Sequence, residues 1–163
     1  MVFMVLFLAI KAEATKPPTI QIDTANFSIK INDKQIDHSK FNDVLMIIDR
    51  EYRKVEKTGK TLYIFDEFGF TIHKEKKGIT YSFLFTKGTT DDEPKNAFNV
   101  TLNLNQLAIN SATSIGDLKK QLPIAEKTIQ MENMFLYVNK KYVTMCESKD
   151  GQFIRMDVGF KTK

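Results

Sequence analysis

Apolar and polar positions alternate along most of this chain, and helical spacing interrupts the alternation only twice. Phe27, Ile29 and Ile31 recur at period two, which predicts a strand with one apolar face, and Asn32-Asp33-Lys34 supplies turn chemistry before Gln35-Ile36, so the pair forms a hairpin. Phe41, Val44, Leu45 and Ile48 then fall at i, i+3, i+4 and i+7, the spacing of one buried helical stripe, with Ser39 placed to cap the N-terminus. Leu62 to Phe65, Phe70 to His73 and Ile79 to Phe85 return to strict alternation and predict a three-stranded meander whose last turn closes at Lys77-Gly78.

The second half of the chain lies over the first. Phe27 to Asn32 aligns with Phe98 to Asn103, Gln35-Ile36 with Gln106-Leu107, and Phe41 to Val44 with Ile115 to Leu118. Leu62, Ile64, Phe70, Thr71 and Ile72 fall over Phe135, Tyr137, Val143, Thr144 and Met145 at a constant offset, and Tyr81, Phe83 and Phe85 over Ile154, Met156 and Val158. Ser114 to Asp117 fits a capping box for a second helix with Ile115, Leu118 and Leu122 as its stripe; Pro123 must end or kink it, and Asp150-Gly151 marks a two-residue hairpin turn. What the halves share is the position of apolar residues, which is what a duplication keeps when the buried face is the constrained one. The expected fold is therefore α+β: two tandem ββαβββ repeats, about 27–86 and 98–160, with antiparallel sheets, one short helix per repeat and a pseudo-twofold relation. A unit of ~60 residues buries too little surface to be secure alone, so residues 15–163 are expected to form one domain, with the polar stretch Thr86 to Ala97 as linker.

Met1 to Ile10 is an unbroken apolar run followed by Ala12-Glu13-Ala14 and then Pro17-Pro18, which predicts a signal peptide cleaved after Ala14. At ~1.5 Å rise per residue the run spans about half of a ~30 Å hydrocarbon core, too little for a transmembrane anchor. The expected location is the periplasm, with no stable membrane insertion after cleavage. No Lys or Arg precedes the apolar run, and the competing expectation is a buried first strand or helix.

Composition narrows the chemistry. The 163 residues are 42% hydrophobic and 27% charged, too apolar for disorder, and a net charge of +4 falls short of the dense basic stripe of a nucleic-acid binder. A single cysteine, Cys146, excludes an internal disulfide and a cysteine-based zinc cluster, and His38 and His73 are the only imidazoles. No phosphate-binding glycine loop is present. No catalytic, cofactor-binding or metal site is predicted. His73 falls over Cys146 in the alignment, on the same strand of each half, but the two lack the third group of a nucleophile site. The sequons Asn26-Phe-Ser28 and Asn99-Val-Thr101 are expected inside strands and are discounted. Asp66, Glu67 and Phe68 form a tight turn between two apolar strands, where an exposed Phe beside the acids on a rigid turn would serve as a partner-binding anchor.

The stretch Leu62 to Ile72 (LYIFDEFGFTI), preceded by Ile29 to Ile36 and a short helix, resembles small exported bacterial domains of unknown function with a hairpin, a helix and a meander joined at an aromatic-Asp-x-x-Gly junction. The resemblance covers about 27–86 well and 98–160 only in pattern, since Asp66 and Gly69 become Asn139 and Tyr142. It implies a neighbourhood of secreted interbacterial toxins and the role of a type VI secretion-associated immunity protein. The tandem layout is also similar to that of secreted β-lactamase inhibitory proteins, an analogy of architecture alone. The expected function is non-enzymatic binding of a toxin or enzyme by occlusion. The alternative is an envelope accessory protein or enzyme that binds a lipid or glycan between the two repeats.

Overall fold

The computed structural model describes residues 17–26, 28–38, 40–122, 127–150 and 152–161. The proposed signal peptide, Phe27, Ser39, Pro123 and Gly151 lie outside the described residues. Over the described residues the fold is predominantly β with two short helices. In chain order the elements are β1 (Thr19–Asp23), β2 (Ser28–Ile31), β3 (Lys34–Gln35), α1 (Phe41–Ile48), β4 (Arg53–Lys57), β5 (Lys60–Phe65), β6 (Phe70–Glu75), β7 (Gly78–Leu84), β8 (Thr101–Leu104), β9 (Leu107–Ile109), α2 (Ile115–Gln121), β10 (Lys127–Gln130), β11 (Met134–Val138), β12 (Tyr142–Lys149) and β13 (Gln152–Lys161).

They build two sheets. The smaller runs β3-β2-β1-β8-β9 and the larger β10-β11-β12-β13-β7-β6-β5-β4. The larger is antiparallel throughout, whereas the smaller contains one parallel pair, β1 with β8, so the expectation of purely antiparallel sheets needs correcting there. Strand β1 was not expected; Ile20 and Ile22 alternate in it and are almost fully buried at the centre of the small sheet. Each helix is followed by four strands where the predicted unit has three. The additions, β4 (RKVEK) and β10 (KTIQ), are the two edges of the large sheet. Each carries one apolar side chain, so alternation has nothing to mark them with, and the charges of β4 discourage edge-to-edge association.

Local chemistry explains the turns and caps. Asn32 and Asp33 both take positive φ (51° and 62°), the requirement of the two-residue turn between paired Ile31 and Lys34. The β6–β7 turn is Lys76-Lys77, because Gly78 already pairs with Glu75. Helix α2 has the expected cap: Ser114 Oγ accepts from the Asp117 amide at 3.0 Å and donates to its carboxylate at 2.7 Å. Helix α1 begins one residue later than a Ser39 cap implies, with Lys40 in the cap position and, among the described residues, no side-chain cap bond. Among the sequon residues, Asn26 lies in the turn before β2 and Asn99 in the loop before β8, not in strands.

One apolar cluster takes residues from both sheets and both helices, including Ile20, Ile31, Leu104, Phe41, Val44, Leu118, Phe83 and Val158. Antiparallel partners share a face, so Phe65, Phe70, Phe83, Met156, Cys146 and Phe135, each paired with the next, mark the core face of the large sheet. Leu62, His73, Thr80, Gly159 and Val143 mark the other. His73 and Cys146 therefore stand on opposite faces. The alignment that lays one on the other is slipped by one residue through β5–β6 and β11–β12, which turns every side chain to the wrong face.

The stretch predicted as a linker does more than connect. Residues 86–98 cross the outer face of the large sheet as a strap, with Pro94 buried, Gly88 N bonding Pro94 O at 3.0 Å and Phe98 N bonding Leu84 O at 2.6 Å. Gly69 is required beneath its end: it has φ +73°, and a Cβ there would lie 2.2 Å from Phe98 N. Among the described residues no helix is long and apolar enough to cross a membrane.

Candidate functional site

The turn singled out from sequence, Asp66 to Gly69, borders a groove of about 500 Å³ formed where the chain leaves α1 and enters β4. Asp49 ends the helix in the left-handed conformation (φ 48°), its N–H bonded to Leu45 O at 3.0 Å, and Arg50, Glu51 and Tyr52 then run along the groove.

Asp66 is not a free recognition tip. Arg53 donates to it twice, Nε to Oδ2 at 2.5 Å and Nη2 to Oδ1 at 3.0 Å, and the Lys95 amide donates to Oδ1 at 2.9 Å. The same guanidinium reaches Asp91 O at 2.9 Å and Glu93 O at 3.1 Å. One arginine thus clasps the β5–β6 turn to the strap, and its hydrogen bond holds the Asp66 carboxyl below the usual carboxylate range. Phe68 is also placed differently from expectation. It is 3% exposed, packed in the core, so it is not an exposed anchor. Two acids precede it in the sequence and suggest an exposed position, but the turn rolls this ring inward while Glu67 stays outside. The aromatic side chain that does project here is Tyr52, 43% exposed and braced against Tyr63 and Phe65 at centroid distances of 5.5 and 5.7 Å. Its position in a charged segment after a helix gave no periodic signal.

A second concavity, about 260 Å³, lies on the outer face of the large sheet beneath the strap. Thr71, His73 and Ser82 enter it from the first half, Arg155 and Asp157 from β13, and Asp92 and Glu93 from the strap. Arg155 pairs with Glu93, and Lys57 with Asp92. Burial pushes His73 down to about 4, with Lys60 and Arg155 adding to the effect, so its imidazole is neutral at pH 7. Burial raises the Asp157 carboxyl, against a hydrogen bond from Ser82. Cys146, on the core face, is fully buried and its thiol is pushed up to about 12, chiefly by desolvation, which leaves it unreactive. His38 precedes α1 and stacks on Phe160 at 4.3 Å. Among the described residues, no group of three or more His, Cys, Asp or Glu is arranged to hold a metal ion.

The chain belongs to the DUF7738 family, described as a domain of unknown function, whose model matches residues 20–119. That stretch contains the groove and the strap but not Arg155 or Asp157. No curated protein matches the chain, and no solved structure matches it.

Proposed function

We propose that this protein is a non-enzymatic, exported binding protein of the immunity type, which neutralises a secreted antibacterial effector by occluding it, and that the groove beside the Asp66 turn is its contact surface. The observation that carries this reading is the exposed Tyr52 ring, propped on half-buried Tyr63 and buried Phe65 at the lip of a groove that the Arg53–Asp66 clasp holds in shape. Tyr and Arg dominate interface hot spots because they present large, stiff contact area with a polar handle. Arg50 and Glu67 line the same groove. Asp66 acts there as a positioning residue. The apolar run Met1 to Ile10 with Ala12-Glu13-Ala14 supports export.

The same proposal includes an ancestral duplication, now of a ββαββββ unit. Its support is the order of the large sheet, in which β4 to β7 and β10 to β13 run outward in mirrored order from the β7–β13 pair. An overlay that keeps the core face inside sets Tyr63 on Phe135, Ile72 on Cys146 and Phe83 on Val158, all buried or half-buried core-face positions.

The test uses the purified product of the gene adjacent to this one and measures its affinity for the wild-type chain, Tyr52→Ala and Glu67→Lys by calorimetry, with thermal melts to confirm folding. A nanomolar wild-type complex weakened at least 30-fold by Tyr52→Ala supports the proposal. Absence of binding at micromolar concentration, or binding indifferent to both substitutions, overturns it.

A further inference from the structure

Three residues that line the cavity under the strap carry buried polar atoms with no hydrogen-bond partner among the described residues: Thr71 Oγ1, Arg155 Nε and Asp157 Oδ1. Thr71 is itself only 2% exposed. Each such atom is destabilising when nothing replaces the water it gave up, so three on residues around one space mark a site built for a polar occupant. They come from separate strands, β6 and β13, from the two halves of the chain, and the strap closes over them from a third direction.

The chemistry of the wall selects the occupant. Lys57, Lys60 and Arg155 are balanced by Asp92, Glu93 and Asp157, and His73 is neutral, so the cavity offers no net charge to an anion or a cation. Two of its cations are already committed to strap carboxylates. Besides the Lys60 ammonium, what remains is a donor at Arg155 Nε, an acceptor at Asp157 Oδ1, and a hydroxyl at Thr71 that does both. Leu62, Leu84 and Pro94 supply an apolar side. A volume of about 260 Å³ lies just below the ~300–1,000 Å³ of drug-sized ligand sites.

We propose that this cavity is a binding site for a small uncharged polyol of monosaccharide size or less, whose hydroxyls satisfy Thr71, Arg155 and Asp157 while its C–H face rests on Leu62, Leu84 and Pro94. The site is independent of the groove assigned to a protein partner. It accounts for polar groups that would otherwise destabilise the sheet for no gain.

The experiment is a thermal-shift and calorimetric series on the full chain with glucose, galactose, N-acetylglucosamine and glycerol, against sodium sulfate, sodium phosphate and glycine as charged probes. The expected result is a rise in Tm of about 3 °C for at least one polyol at ten times its Kd, with no specific response to the charged probes. Thr71→Val removes the hydroxyl at nearly constant shape; its unliganded Tm should equal or exceed that of the wild type, because an unpartnered polar atom is gone, while polyol affinity falls at least tenfold. No response to any polyol, a saturable response to sulfate, phosphate or glycine instead, or a Thr71→Val chain that melts lower than wild type yet binds unchanged would each overturn the proposal.

Discussion

Arg53→Ala removes one side chain and, with it, four hydrogen bonds: two to the Asp66 carboxylate and two to the strap carbonyls of Asp91 and Glu93. Bonds of this charged type contribute ~1.5–3 kcal/mol each when dry, but Arg53 and Asp66 are 33% and 25% exposed, and water takes over part of the work. A total of about 2–3 kcal/mol follows, since the bonds share one guanidinium and are lost together. For a domain of this size that is roughly 5–10 °C in Tm. The loss should also be local. Hydrogen exchange at the amides of Gly88 and Phe98, which close the two ends of the strap, should accelerate more than exchange in β12 or β13. Lys54→Ala is the control, because the Lys54–Glu56 pair is more than half exposed on both sides, so solvent screens it and its loss should leave Tm at the wild-type value. A fall of less than 2 °C in Arg53→Ala, or a larger fall that leaves strap exchange unchanged, would refute the clasp as the device that pins the strap.

Other expectations test separate parts of the argument. Gly69→Ala should fail to fold stably or melt at least 10 °C lower, because its Cβ would lie 2.2 Å from Phe98 N at a positive φ; a circular-dichroism melt near wild type would show the strap passes elsewhere. Ser114→Ala should cost about 1 kcal/mol by denaturant titration, through loss of the Asp117 cap, and an unchanged midpoint would show that α2 does not depend on it. His73, with a folded value of about 4, stays neutral in the fold while the unfolded chain takes up a proton below about 6.5, so stability should fall as pH drops from 6.5 towards 4, by at most on the order of 3 kcal/mol. His73→Gln should flatten that slope between pH 6.5 and 5, and an unchanged slope would remove His73 as its source. Asp66 acts in a lower window: its depressed value gives stability that is present above the unfolded carboxylate value and lost as pH falls through the folded one. Asp66→Asn should therefore melt closer to wild type at pH 3 than at pH 7, and an equal gap at both would separate Asp66 from the acid response.

What the sequence revealed follows from where water lies. Strands with one wet and one dry face were legible by alternation, as in β2, where Ile29 and Ile31 are buried, and both helices were found by their spacing, because each turns apolar side chains inward, Phe41, Val44 and Ile48 in α1 and Leu118 in α2. Edges were invisible because β4 and β10 have almost no dry face. Register between the halves was misread for the opposite reason. The strap makes part of the outer face dry as well, so Leu62 and Ile64, at 3% and 0% exposure, look as apolar as Tyr63 and Phe65 on the core face, and a comparison of apolar positions could not tell which set to match. The same covered face hides the cavity. Thr71, Ser82, Arg155 and Asp157 look like the solvated side of an ordinary sheet until the strap is laid across them. A polar stretch rich in turn residues predicts a loop but not what the loop lies on, and in this chain that contact turns a wet sheet face into an enclosed one.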